Sequence, residues 1–316
     1  MDIALLEVFR AVACEQSVTK AAERLGRVPS NVTTKIQQLE AEIGVSLFQR
    51  ETKRMLLTPQ GATYLDYAER ILNLADEARQ AVNPTRPTGT LRVGSMECSV
   101  ASRLPAPLTR FNQAWPEVAI DLSTAPTRSL IDAVLGHRLD CALIAVPAGE
   151  WWLAPDALEK VPVFREQLVL LTPAGHPEVR TAQDVKPRAL AAFAPGCTYR
   201  ELAQNWLTEN GGTAAGLTFH EVKSYHAMLA CTAAGACISV MPKSVVELMR
   251  HVAVETTPFT TVDTYLACRP GFATPAFQAF RDILLESSNI ASNNDQPPGS
   301  GSHSVVKHNS KLSSSL

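Results

Sequence analysis

Several features are missing from this chain of 316 residues. No apolar run approaches the roughly 20 residues that a membrane-spanning helix needs, which argues against a helical membrane protein. The start, MDIALLEVFRAV, has neither a basic segment nor a cleavage site, so no export signal is expected. The seven cysteines (Cys14, Cys98, Cys141, Cys197, Cys231, Cys237 and Cys268) are odd in number and never form a CxxC pair. Free thiols in a reducing compartment follow from that, rather than a disulfide framework. HExxH, GxSxG, GxxxxGK[ST] and a strand-borne GxGxxG are all absent, and the seven histidines are scattered. An enzyme, a bound cofactor and a metal site are therefore not expected. The net charge is only −2, so any contact with nucleic acid has to come from local charge. What is present is a 46% hydrophobic content, enough to fill real cores, and a length suited to more than one domain.

The most informative stretch is Ser17 to Arg50. Leu5, Leu6, Phe9, Val12 and Ala13 mark an amphipathic helix before it. Ser17 suits the cap of a second helix carrying Ala21, Ala22 and Leu25; Gly26 suits its left-handed end, and Pro29 the first turn of a third. That third helix puts Val32, Ile36, Leu39 and Ile43 on one face and Ser30, Asn31, Thr34, Gln37 and Gln38 on the other. Hydroxyls and amides both donate and accept, so an uncharged polar face can match base edges in a major groove. Glu or Lys would serve a merely solvated face better. Three helices with a tight turn between the second and third make a helix-turn-helix. Val45 to Thr58 then reads as a two-stranded wing, whose Arg50, Lys53 and Arg54 are placed to meet phosphates. Seven basic against four acidic residues between Ser17 and Thr58 give this unit a local charge of +3. So modest a charge suggests an oligomer that sums several small contacts.

Phe9, Ser17, Ala21-Ala22, Leu25, Val32, Thr33, Ile36, Leu39-Glu40, Gly44, Leu47-Phe48, Arg50 and Leu57-Thr58-Pro59-Gln60-Gly61 form an ordered, ungapped string. Residues 1–60 thereby resemble the winged helix-turn-helix of LysR-type transcriptional regulators. The resemblance implies contact with double-stranded DNA through Ser17, Thr19, Arg27, Pro29, Ser30, Asn31, Thr33, Thr34, Lys35, Gln37, Gln38, Arg50, Lys53 and Arg54. Many members carry Gln in place of Pro29 and Ser in place of Thr33, which shifts the expected reading toward Ser30, Asn31 and Thr34. A weaker likeness extends to about residue 285.

Beyond Pro59, Tyr64, Ala68, Ile71, Ala75, Ala78 and Val82 recur at spacings of 4 and 3, a heptad seam that needs a partner. That partner is either a second copy of the helix or the chain's own effector domain. In LysR-type proteins the matching helix pairs between subunits, which implies a homodimer or homotetramer and a partly inverted-repeat operator. Asn83 to Gly89 holds two prolines and a glycine and reads as a hinge. Strands and helices alternate from Thr90 onward, in two sets, which argues a mainly parallel α/β sheet in two lobes. The resemblance implies the two-lobed architecture of periplasmic binding proteins. The expected division is 1–60 for DNA binding, 61–86 for the linker helix and hinge, 87–286 for the effector domain and 287–316 for a disordered tail. Lobe 1 is expected over about 90–160 plus 266–286, and lobe 2 over about 161–265.

Ligands in such sheets sit at strand carboxyl ends and helix starts. This nominates Ser95, Met96, Glu97, Cys98 and Ser99, then Thr127, Arg128 and Val146, in the first lobe. In the second it nominates Cys197, Thr198, Tyr199, Arg200, Ser224 and Tyr225, with Thr198 and Glu201 as a capping box. Arg128 or Arg200 suits a carboxylate, and Glu97 either meets an amine or pairs with one of those arginines. Cys98 and Cys197 face one another as a thiol switch or, on the simpler reading, are two buried thiols. The expected protein is a cytoplasmic regulator controlled by a small carboxylate or amino-acid-like metabolite, with RNA polymerase as a further partner. The alternative is a cytosolic small-molecule binder whose helical N-terminus is only an interaction module.

Overall fold

A computed structural model of the chain describes residues 2–51, 54–82, 86–147, 157–209, 217–249 and 251–294. Its N-terminal unit is built from local signals. Helix α1 (Ile3–Glu15) is capped by Asp2, which accepts from the Ala4 amide at 2.9 Å. Helix α2 (Val18–Arg24) is capped by Ser17, which accepts from the Lys20 amide. Gly26, at φ +62°, ends it: its amide reaches Glu23 O and the Arg27 amide reaches Ala22 O, which satisfies two last-turn carbonyls. Helix α3 (Pro29–Ile43) starts on a proline that has no amide to satisfy and stops at the left-handed Gly44. Val32, Ile36 and Leu39 are buried against α1 and α2.

Strands β1 (Phe48–Glu51) and β2 (Arg54–Leu57) form the wing, paired antiparallel. Glu40 fastens the wing to α3 by accepting from the Leu47 and Phe48 amides at 2.7 and 3.2 Å. Phe9 packs on Phe48 and Tyr64 in the centre of this core. The Leu57-Thr58-Pro59-Gln60-Gly61 string starts helix α4 (Pro59–Val82). The Thr58 hydroxyl accepts from the Gly61 amide at 2.9 Å. Gly61 passes so close to the wing that a Cβ there would lie 2.0 Å from Leu47 O.

The heptad seam of α4 divides. Tyr64, Ala68 and Ile71 pack on the helix-turn-helix core beside Leu65 and Leu72, so this half is covered within the chain. The large apolar residues of α4 left exposed are Tyr67, Leu74 and Val82, at 54%, 50% and 83%, with Ala78 of the seam exposed between them.

Beyond the hinge, β3 (Gly89–Ser95), β4 (Val118–Thr124), β5 (Cys141–Val146), β6 (Glu159–Pro173), β7 (Ala189–Ala192), β8 (Thr218–Glu221), β9 (Ile238–Pro242) and β10 (Val254–Cys268) form one sheet. Its order is β4-β3-β5-β10-β6-β9-β7-β8. The outer strands are parallel within each lobe, but β10 is antiparallel to β5 and β6, and β6 to β9. The sheet is thus mixed rather than mainly parallel, and two strands of 15 residues run through both lobes. The first part of β10, VETTPFTTVD, is rich in threonine and half exposed, so no apolar run marks it as a strand.

Helices α5 (Glu97–Ser102), α6 (Pro105–Ala114), α7 (Thr127–Leu135), α8 (Thr198–Glu209), α9 (Tyr225–Ala233), α10 (Lys243–Leu248) and α11 (Pro275–Asn294) cover the sheet. Residues 287–294, expected to be unstructured, continue α11, and the Ser287 hydroxyl donates to Ile283 O. The small polar residues that suggested a tail therefore sit on a helix nucleated by the buried Phe277, Phe280 and Leu284. The rest of the expected tail, 295–316, lies outside the described residues.

Candidate nucleic-acid interface and ligand cleft

The polar side of α3 is solvent-facing: Ser30, Asn31, Thr34, Gln37 and Gln38 are exposed, and Thr33 and Lys35 are half-buried at its edges. Thr33 and Thr34 donate to Pro29 O and Ser30 O at 3.1 and 3.0 Å, which spends their protons and turns their lone pairs outward. Gln38 donates to Glu42 at 3.1 Å. Ser30, Asn31 and Gln37 hold no side-chain hydrogen bond to the described residues, so they can both donate and accept outward. Pro29 offers a ring at the helix start, without a donor. Thr19 is exposed on α2, and Arg27 is half-buried just past the turn. Ser17 is occupied as a cap. Arg54 is exposed on β2 and Arg50 lies on β1 opposite Met55, while Lys53 lies outside the described residues.

The second site is a cavity of about 310 Å³ between the lobes. Met96, Glu97, Thr124, Ala125, Pro126 and Thr127 line it from one side. From the other come Phe193, Ala194, Cys197, Thr198, Tyr199 and Tyr225, with Glu221, Val222 and Lys223 at the end of β8. Met96, Glu97, Thr127, Cys197, Thr198, Tyr199 and Tyr225 are thus brought together as the sequence suggested. Thr198 does not form the expected capping box. Its hydroxyl crosses the cleft, 3.0 Å from the Thr127 hydroxyl and 3.1 Å from Ala145 O. The Glu201 amide donates to Cys197 O at 3.1 Å instead.

Other nominated residues lie elsewhere. Ser95 is buried and donates to Met96 O. Cys98 is buried behind Tyr199, 3.6 Å from its hydroxyl, with Ser99 beside it. Val146 is buried at the end of β5. Ser224 caps α9 by accepting from the Ala227 amide. Arg128 points to solvent from the first turn of α7, its amide donating to Gly196 O. Arg200 turns back to Phe193 O at 2.9 Å, stacks 4.7 Å over Phe219 and approaches Glu221 at 3.6 Å. Neither arginine is among the lining residues, because the first turns of α7 and α8 direct them outward and toward β8. Thr124, Phe193, Glu221, Val222 and Lys223 were missed. Their signal was available, since each falls at or next to a strand's carboxyl end.

The comparisons with known proteins bear on both sites. Residues 3–62 match the family described as "Bacterial regulatory helix-turn-helix protein, lysR family", and residues 84–289 match the "LysR substrate binding domain". The chain belongs to the LysR family of DNA-binding transcriptional regulators. It is 35% identical to the HTH-type transcriptional regulator GltR of Bacillus subtilis, covering 89% of this chain and 95% of that one. It is 32% identical to YofA of the same organism, covering 90% and 99%. Its fold resembles that of a full-length OxyR variant from Pseudomonas aeruginosa (TM-score 0.65, 24% identity, 92% and 95% covered). It also resembles full-length CbnR in complex with its target DNA (TM-score 0.64, 23% identity, 91% and 100% covered). These families and relatives are regulators, not enzymes.

In this LysR-type chain the cleft is mostly apolar with three charged residues, Glu97, Lys223 and Glu221, the last of them 3.6 Å from Arg200. Burial pushes the Glu97 carboxyl above its usual range, and the Tyr225 amide and His226 draw it partly back. Glu97 Oε2 is shielded from solvent and has no partner. Lys223 stands at the opposite lip. Burial pushes the Cys98 thiol up to about 12 and that of Cys197 up as well, so both are protonated and unreactive at neutral pH. No helix of the described residues is long and apolar enough to cross a membrane.

Proposed function

We propose that this regulator binds a partly inverted-repeat operator in double-stranded DNA as a homodimer or homotetramer, in the cytoplasm. The observation that carries the reading is the outward, uncharged, mixed donor–acceptor face of α3, a helix that starts on Pro29 and stops at Gly44. Ser30, Asn31, Thr33, Thr34, Gln37 and Gln38 read base edges. Ser17, Thr19, Arg27, Pro29, Lys35, Arg50, Lys53 and Arg54 lie against the backbone and set the register. The exposed Tyr67, Leu74 and Val82 of α4 support pairing with a second copy. Residues 1–60, 61–86 and 87–286 act as reader, linker and effector domain.

The effector is a small metabolite, amino-acid-like rather than a bare carboxylate. Glu97 on one lobe and Lys223 on the other suit an amine and an acid on one molecule, and neither Arg128 nor Arg200 lines the cavity to favour an anion alone. Its binding changes how the lobes close, and that change alters DNA geometry and contact with RNA polymerase. Footprinting on the region beside its own gene tests the first part: a protected inverted repeat is expected, and equal salt-sensitive binding to random DNA refutes it. Thermal-shift screening of amino acids against matched carboxylates tests the second. Stabilisation by a carboxylate alone, unchanged in Glu97→Gln, refutes it.

A further inference from the structure

We propose that α7 couples the ligand cleft to the linker helix α4, with Asn73 and the Glu77–Arg269 pair as its receiving contacts. The proposal rests on the cleft being the effector site.

Helix α7 has nine residues and is about 13 Å long at 1.5 Å per residue. Its first residue, Thr127, lines the cavity and meets Thr198 of the opposite lobe at 3.0 Å. The next amide, of Arg128, donates to Gly196 O of that lobe at 3.2 Å. A change in lobe closure therefore acts first on this end. The body of the helix has little slack to absorb the displacement. Leu130, Ile131 and Val134 are buried, and a Cβ on Gly94 of β3 would meet Leu130 at 2.6 Å and Leu139 at 2.4 Å.

The far end runs into residues 136–140, and α4 holds that loop. Asn73, a buried polar side chain of α4, donates to His137 O at 2.8 Å. Arg138 donates to Asp66 at 2.7 Å. Arg269, itself buried, donates to Val134 O and Leu139 O at 2.9 and 2.7 Å and to Glu77 at 2.8 Å. Asp140 accepts from the Arg92 amide at 2.8 Å, and Arg92 reaches Asp76 of α4 at 3.3 Å. One rigid element thus has one end in the cavity wall and the other running into a loop held by the helix that carries the DNA-binding unit. Hydrogen bonds weaken steeply once stretched or tilted, so a small displacement of α7 exchanges this set for another rather than deforming it smoothly.

The test is a mutant cycle in the full-length protein. DNA affinity is measured for the wild type, Thr127→Val, Asn73→Ala and the double variant, on the footprinted fragment at one salt concentration. Each single change is expected to shift Kd by about threefold or more, and the double variant to match one of the singles. Effects that multiply, or a Thr127→Val protein that binds like the wild type, overturn the proposal. Melting curves verify folding. If Asn73→Ala does not fold, Glu77→Gln takes its place in the cycle with the same two outcomes. No metabolite is added, so the cleft reading is judged separately by the thermal-shift screen. A stabilising amino acid together with an additive cycle keeps the cleft reading and removes the coupling through α7. A coupled cycle with no stabilising metabolite does the reverse.

Discussion

The two halves of α4 are held by different physics. The first half is fixed by apolar burial: Ala68 and Leu72 sit in the helix-turn-helix core, Tyr64 packs edge-on to Phe9, and Gly61 lies against the Leu47 carbonyl. The second half touches the effector domain through polar contacts from Asn73, Asp76 and Glu77, joined from the first half by Asp66. Apolar burial stabilises whatever the exact alignment, at about 25 cal/mol per Å², whereas the polar contacts depend on geometry, from about 0–1 kcal/mol for the half-exposed Arg138–Asp66 pair to about 2 kcal/mol for the buried Asn73 bond. The difference teaches that α4 is part of the DNA-binding unit by construction and part of the effector domain only by alignment. A contact of the second kind can be released without unfolding either neighbour.

Four changes would break or sharpen this contrast. Gly61→Ala should be the most damaging, because the added carbon meets a backbone oxygen that cannot move. We expect a loss of about 3 kcal/mol, read as a fall in melting temperature of the DNA-binding unit. Asn73→Ala should cost less, about 2 kcal/mol, since it leaves the His137 carbonyl without its donor. Amide exchange should then quicken in 70–82 and 136–140 but not in 3–48, whereas Gly61→Ala should quicken 3–48.

Acid should act on the second half selectively. Burial, and then Arg269, hold His137 below its ordinary range. The folded protein therefore binds this proton less readily than the unfolded chain, so its contribution to stability is fully present above the unfolded value of about 6.5 and is lost as pH falls from there through the lower folded value. Protection factors near His137, corrected for the intrinsic pH dependence of exchange, should fall between about pH 7 and 5.5 while those of the core around Phe9 are unchanged; an equal fall in both would remove His137 as the cause. Asp66→Asn should be the mildest change, about 0.5 kcal/mol or less, because Asp66 and Arg138 are about 40% exposed.

Legibility in the sequence follows the same line. The DNA-binding unit was readable because its signals are local: caps at Ser17 and Gly26, a proline at a helix start, and apolar spacings along α3. The tie from Glu40 to the wing amides left no such trace. The heptad of α4 was visible, but spacing does not say which partner covers which residue, and half the seam is covered within the chain. In the cleft, the strand-end rule located the loops, while the directions of Arg128 and Arg200 were set by how α7 and α8 dock, which is a tertiary property. The first part of β10 escaped because threonine-rich, half-exposed strand does not read as a core element.

The central claim, that α3 reads sequence, is tested most directly by comparing the wild type with an Asn31→Ala, Thr34→Ala double variant. Both proteins are titrated onto the footprinted fragment and onto random DNA at one salt concentration. The account predicts that the double variant loses at least about tenfold in specific affinity and keeps its affinity for random DNA. Unchanged specific binding would contradict it.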